Sequence, residues 1–578
     1  MSWIIGCIGD TKDDRNKTIS QLHPPPLFTF KTSLLYLAAG GIKETLHWPS
    51  PAKNAIAMWL VAGTGIVSTG HDRFLEDQEW EACFDEPAQF SSIGGHFIAL
   101  RWNGESLECH NDQIGLRTLY FATSHQCTYF STRLDWVARL SGFQEIDFHN
   151  FGSRWLCVNQ FSHVSPIANI QKLGPGGRAV LHSSSTTAES KAWQTDFTAL
   201  KTENPLEVLQ SLLSLGKDRD FSLGLSGGMD SRVLLSLLLS TPALRFSAYT
   251  LGESLNPDVR VATMIAQREG MPFHHFNEPL PSVEETLLSG MEYLAQTNLC
   301  EPLLPAFLRF RSFKQMYKSN QLLIDGAFGE LSRRQYLKRL FIRGRTALLS
   351  GNPRKILPFL RIHRSAFFQR DIAHQMEAGA LNDIERVWNE MPAIGTIGME
   401  NFLDLLTIRT RVPNYGVDAQ AMLDSQVLNV MPFIQPAYLH AVLALPVEER
   451  RNGKFFKQII RTYRPTLIKY PLVKGPTTYP FFLPTFPAML WTKAKSALGL
   501  RYVDPSSNAL LLSMRSAVLD MVTSKDVKEC AVYDYPLISS IVTRYYNGQR
   551  HLQNDVHWWL SFELWRKNLS VQSMNRIQ

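Results

Sequence analysis

Between Phe221 and Leu239 the chain reads FSLGLSGGMDSRVLLSLLL: a short apolar run, a small polar turn, then leucines too many and too regular for anything but a buried helix. The pattern predicts strand, glycine turn, helix. Downstream of about residue 200, apolar runs such as Leu244–Leu251 and Gln321–Ile324 alternate with helical stretches, as a parallel sheet covered on both faces requires. Upstream the period falls to two. Gly95–Trp102, Leu107–His110, Thr118–Phe121 and Thr128–Ser131 alternate between turn residues, and Asn103-Gly104 is a hairpin signal. Residues 1–195 therefore read as a β-sandwich and residues 196–578 as an α/β unit. Near the far end Val556, Trp559, Leu560 and Leu564, with Trp565, recur at helical spacing and predict a core-packing helix.

Length and charge refine this picture. At 578 residues the chain exceeds one domain. No apolar run approaches the roughly 20 residues of a membrane span, and Met1–Asp10 lacks the zones of a signal peptide, so a cytoplasmic protein is expected. The seven cysteines (7, 83, 109, 127, 157, 300, 530) are scattered and never in C-x-x-C spacing, which favours reduced structural thiols over a zinc site. The net charge of +7 is concentrated: eleven Lys or Arg and no acid lie between Leu331 and Arg370, so the rest of the chain is net negative. That segment is either a solvated helical face or a surface for an anionic partner. Its few aromatics speak against base stacking, and nucleic acid is not expected.

Ser226-Gly227-Gly228-Met229-Asp230-Ser231 carries the candidate chemistry. Two glycines let a backbone turn aim its N–H groups, with a helix N-terminus behind them, at an anion, while Ser226 and Ser231 add hydroxyl donors. Asp230 beside such a nest can hold the metal that neutralises a pyrophosphate. Two other assignments fit the letters. Gly224-Leu225-Ser226-Gly227-Gly228 satisfies G-x-S-x-G, the elbow of a serine hydrolase using Ser226, and a plain helix cap on a glycine turn would look the same. The Walker pattern is absent, which excludes an ordinary P-loop ATPase.

SGGMDS resembles the pyrophosphate loop of N-type ATP pyrophosphatases, and the surrounding chain resembles the asparagine synthetase family from end to end. GGHFIALRWNGESLECHNDQIGLRTLYF, with Asp112, Gly115, Leu119 and Tyr120, and IQKLGPGGRAVL resemble the family's N-terminal Ntn-type glutaminase domain; residues 411–475 resemble its helical stretch. The resemblance implies an α+β glutaminase-like sandwich followed by an α/β synthetase domain that uses ATP and Mg2+. It places ATP at Leu225, Ser226, Gly227, Gly228, Asp230 and Ser231 and at Thr250, Leu251 and Gly252, metal on Asp230, and a catalytic role on Lys474, with Lys469 second to it; the family's second metal position falls on Gly329, so Glu330, and after it Asp325, are the carboxylates expected to complete the metal site, Glu330 with a catalytic role.

The departures from the family matter as much. Ser2 stands where the glutaminase cysteine should be, Gly94 replaces a substrate-binding Asp, and Gly329 replaces the second metal-ligating Asp. A serine hydroxyl is a far weaker nucleophile than a thiol partly ionised near neutral pH, so no glutamine hydrolysis is expected. Asp258 is expected to cap its own helix. The reaction implied is adenylation of a carboxylate followed by amine attack, closest in type to lasso-peptide macrolactam and β-lactam synthetases. A peptide or small-molecule carboxylate is then the substrate, an acidic precursor peptide and a protease are the partners, and an asparagine synthetase using glutamine or ammonia is the alternative.

Overall fold

The computed structural model describes residues 2–9, 13–49, 57–68, 71–197, 203–297, 299, 301–314, 321–334, 336–362, 364, 366–424 and 426–569. Met1, Asp10 and Cys300 lie outside them. The N-terminal region is a sandwich of two antiparallel sheets, of six and seven strands. Trp3–Ile8 lies inside the first, between Leu35–Gly40 and Cys127–Ser131; Gly94–Trp102 lies inside the second, paired with Met58–Ser68 and Leu107–Asn111. Alternation decides which side chains meet: Ile4, Leu37, Leu60, Ile98 and Phe130 fill the space between the sheets, while Trp3, Ile5 and Cys7 face a helix outside the first. Cys7 is thus a packing residue of the first strand.

The Asp112-x-x-Gly115 motif has a structural reason. The Asp112 carboxylate accepts backbone N–H groups from Ile114, Gly115, Leu116 and Arg117 at 2.7–3.1 Å, and Gly115 turns at φ +76° against Pro175. Four donors on one buried carboxylate fix the bend that returns the chain toward the second half of the molecule.

That second half is built on a five-stranded parallel sheet. Asp220–Gly224 is central; the chain steps outward through Phe246–Leu251 and Phe273–Phe276 on one side, then returns to Gln321–Ile324 and Leu428–Val430 on the other. The change of direction opens a crevice at the carboxyl end of the central strand, where ligands bind in open α/β sheets. The strands at Phe273–Phe276 and Leu428–Val430 are too short and too mixed in polarity to stand out in the sequence pattern.

Packing does not stop at residue 195. Ile66, Ile114, Leu116, Cys157, Phe161 and Trp193 share a core with the Asp230–Leu239 helix and its sheet. Tyr120, Phe151 and Trp155 share another with the final helix, Gln553–Leu569, whose Val556, Trp559, Leu560, Leu564 and Trp565 are all buried. A buried ionic knot pins the seam: Asp424 meets His96 Nε2 at 2.9 Å and Arg117 at 3.0 Å, and accepts from Gln420 and Asn429 at 2.8 Å. Burial pushes the Asp424 carboxyl up, but His96 and Arg117 pull it well below the usual carboxylate range.

Removing one member of a buried ion cluster strands the others without compensation. Asp424→Ala is therefore expected to cost about 3 kcal/mol or more, seen as a lower urea midpoint, whereas a surface change such as Lys525→Ala leaves the midpoint in place. Equal midpoints for the two variants would contradict this account of the seam.

Candidate functional site

The leucine-rich helix after the central strand runs from Asp230 to Leu239 with its apolar side chains buried nearly all round. No side chain caps its start. Its first turn therefore faces a cavity of about 590 Å³ with unsatisfied positive dipole. Gly224, Leu225, Ser226, Gly228, Asp230 and Ser231 form one wall, Thr250 and Leu251 another, and Asp325, Gly326, Ala327 and Glu330 a third.

The glycine turn has the compact form its sequence demands, but its donors are in use. Gly227 N–H donates to Asp258 Oδ1 at 2.9 Å, Gly228 N–H to Ser226 Oγ at 3.1 Å, and Ser226 N–H to Ser231 Oγ at 3.1 Å. Asp258 does not cap its helix as expected: Asn256 does, accepting from Asp258 N–H at 2.9 Å. The Asp258 carboxylate instead rests on the loop, an anion held by Gly227 where an anion was expected. Gly227 admits no side chain, since an added Cβ would lie 2.1 Å from Val473.

Asp230 is the focus of the electrostatics. Its Oδ2 accepts from Arg333 at 2.6 Å, and its Oδ1 is buried with no hydrogen-bond partner among the described residues. Burial pushes the carboxyl up; Arg333 opposes this and the Glu330 charge adds to it, leaving Asp230 at about 6. Asp325 is also raised, by burial first, partly offset by the Ala327 N–H and reinforced by Glu330. Two buried carboxyls whose ionised forms are disfavoured, with Glu330 beside them on the cavity wall, suit a divalent cation, and an unpartnered carboxylate oxygen is a ligand in waiting. Among the described residues no three His, Cys, Asp or Glu converge closely enough to ligate a metal alone. Magnesium, which keeps waters and phosphate oxygens, does not need them to. Gly329 is explained by the same side chain: a Cβ there would fall 2.4–2.6 Å from the Asp230 carboxyl group.

Lys474 and Gly252 do not line this cavity. Lys474 ends the Leu472–Lys474 strand, exposed, one residue beyond Val473, whose N–H donates to Gly227 O at 2.9 Å. It is thus anchored to the loop without reaching into the cavity. Gly252 turns at φ +113° just past Leu251, and its carbonyl meets His275 Nε2 at 2.7 Å.

The far wall was not anticipated. Arg411 lies over Tyr415 and Tyr336, 4.2 and 4.9 Å from the ring centroids, and Arg309 pairs with Glu301, which also accepts from Tyr415 Oη. Cations opposite carboxylates give the cavity two poles. Neither arginine sits in a motif; Arg411 opens the stretch that resembles packing helices, and Arg309 comes from a different helix, Leu303–Lys314. Among the described residues no histidine lines the cavity, and the Ser226 hydroxyl contacts Gly228 N–H and Ser231 Oγ, an arrangement without the imidazole base typical of a serine nucleophile. In the sandwich, the Ser2 side chain is fully buried between the Ile42 carbonyl and Thr45 Oγ1.

No protein-family model and no curated protein matches this chain. Among solved structures it is similar to a glutamine phosphoribosylpyrophosphate amidotransferase from B. subtilis complexed with ADP and GMP, at 10% identity over 57% of this chain and 77% of that one, with a TM-score of 0.21. It is also similar to a structure titled the allosteric regulatory enzyme of purine biosynthesis, at 9% identity over 60% and 78%, with a TM-score of 0.21. Likeness at that level bears on neither activity nor ligand.

Arg333→Gln removes the cation that opposes the rise of the Asp230 pKa. The titration now centred near 6 should move up by about one pH unit or more, so less of the carboxylate is ionised at pH 7. Mn2+ binding followed by electron paramagnetic resonance across pH 5–9 is expected to show its midpoint shifted upward in the variant. An unshifted midpoint would remove Arg333 from the site.

Proposed function

We propose that the chain is an ATP-dependent synthetase that adenylates a carboxylate, releases diphosphate, and lets an amine displace AMP to form an amide. The observation that carries this is the buried, unpartnered Asp230 Oδ1 at an uncapped helix start, in a cavity walled by a serine- and glycine-lined turn.

When magnesium is bound it supplies charge neutralisation for the nucleotide phosphates; Asp230, Glu330 and Asp325 are the residues that would hold it. The chain's own groups do the rest. Ser226 and Ser231 turn their hydroxyls from each other toward the leaving phosphates, and the phosphates take over the loop N–H groups that Ser226 and Asp258 occupy. The backbone at Thr250 and Leu251 borders the nucleoside end, with Gly252 just beyond it. Arg411, with its guanidinium over the Tyr336 and Tyr415 rings, orients the acid. Lys474 closes on the acyl phosphate from the hairpin and stabilises the charge that develops there. The Ser2 hydroxyl, enclosed between the Ile42 carbonyl and Thr45 Oγ1, favours an amine other than one drawn from glutamine as the partner of the activated acid.

The substrate that fits this reading is a peptide carrying its own amine, closed to a macrolactam of the lasso type in the cytoplasm, with a protease that releases the peptide as partner. Asp230→Asn should reduce exchange of labelled diphosphate into ATP, measured with the acid present, by about a hundredfold or more. Lys474→Ala should lower kcat by about 10²–10³-fold with the KM for ATP little changed. Exchange unaffected by Asp230→Asn would reject the mechanism; incubation with glutamine should release no glutamate.

A further inference from the structure

Two exposed surfaces of different character are connected to the region of the hairpin that carries Lys474. The first lies on the helix Thr485–Ala497, fastened by Lys495 Nζ to Thr478 O at 3.0 Å, with Tyr502 N–H returning to Pro476 O at 3.0 Å. It buries little more than Ala488, while Phe482, Phe486, Leu490, Trp491, Leu498 and Leu500 face solvent, Phe482 and Leu498 to 73% and 74%. Apolar side chains gathered this densely are not the scattered exposure of an ordinary surface. The charges among them are Lys493, Lys495 and Arg501, with no acid between Tyr479 and Val503.

The second surface belongs to the basic segment, which the fold divides. Arg333, Arg334 and Arg364 turn inward, to Asp230, to Asp404 and over the Trp558 ring. The helices Lys338–Arg343, Arg345–Ser350 and Pro353–Leu360 pack through Leu340, Leu348, Ile356 and Leu357 and leave Arg339, Arg343, Arg345, Arg354 and Lys355 exposed. Ile342 and Leu349 are exposed among them. Both surfaces are rooted at the glycine turn: Arg333 of the basic segment pairs with Asp230 at 2.6 Å, and Val473 N–H of the hairpin donates to Gly227 O at 2.9 Å; burial, and then the Lys474 charge, hold the Lys338 ammonium down to about 8.

We propose that these two surfaces form one docking site, flanking the Lys474 hairpin, for an acidic amphipathic segment of the polypeptide whose carboxylate is activated. Its apolar residues lie along Phe486, Leu490 and Leu498, and its acids meet Arg339, Arg343 and Arg345. Charge complementarity selects this occupant. The aromatics of the basic segment, Tyr336, Phe341, Phe359, Phe367 and Phe368, are buried or partly buried, and the exposed aliphatic side chains Leu490, Leu498, Leu500, Ile342 and Leu349 call for apolar partners that a peptide supplies and a nucleic acid does not. An amphipathic peptide laid into such a surface is a common recognition mode, and docking beside the site raises the effective concentration of the reacting acid there. The inference rests on the peptide substrate proposed above.

The test uses the full-length protein and a fluorescein-labelled 20-residue peptide with Leu at helical spacing and Glu between. The comparators are the same peptide with Lys for Glu, a 20-nucleotide single-stranded DNA, and vesicles of phosphatidylglycerol and phosphatidylcholine. The acidic peptide is expected to bind at least tenfold tighter than its Lys counterpart and to weaken with salt. Leu490→Ser/Trp491→Ser and Arg339→Glu/Arg343→Glu should each weaken it at least fivefold while leaving ATP binding unchanged. Equal binding of the two peptides, or loss in the variants of DNA or vesicle binding only, would overturn the proposal. Absence of ATP binding and diphosphate exchange in the parent protein would instead reject the synthetase function itself.

Discussion

A guanidinium buried without a carboxylate partner holds the centre of this molecule together. Arg232, one residue beyond the SGGMDS turn, is wholly enclosed and donates to the carbonyls of Tyr470 and Pro471 at 2.9 and 2.8 Å, and of Leu467 and Gly227 at 3.2 Å. Burial pulls it down to about 10, still charged at neutral pH. Because one rigid fork binds the turn on one side and the approach to the Lys474 hairpin on the other, the two cannot drift apart without leaving a buried charge unsatisfied. The Val473 N–H to Gly227 O bond repeats the tie, and the tight fit of Val473 against Gly227 excludes any other residue at that turn.

The site grows outward from that tie. The central strand supplies the turn, its parallel neighbours supply the Thr250–Leu251 and Asp325 walls, and the reversal of strand order leaves the space between them open. Asp230 is then shared by two demands. Arg333 takes one oxygen and positions the carboxyl, and the second oxygen is left bare toward the cavity. Gly329 follows as a steric consequence.

How much of this the sequence disclosed depends on whether the cause was local. The turn, its helix, the strands at Phe246–Leu251 and Gln321–Ile324 and the final aromatic helix all show in the pattern, because each follows from neighbours in the chain: glycine next to glycine, leucine at helical spacing. What was hidden is what distant segments do to each other. Asp258 lies two residues after Asn256, and nothing local says that it reaches Gly227 rather than its own helix. Arg309 and Arg411 become one wall only through the fold, and the eleven cations that read as one block are sorted inward and outward by Asp230, Asp404 and Trp558. Short strands such as Leu428–Val430 exist because the sheet edge has room for them, not because their residues insist.

The interleaved cores have a consequence for how such a chain can change over time. Part of the hydrophobic core around the central sheet, and part of the aromatic nest around the last helix, come from the N-terminal half. The sandwich cannot be removed without baring those buried faces. It persists as scaffolding, so its inheritance is decided by the architecture it supports and not by any reaction of its own.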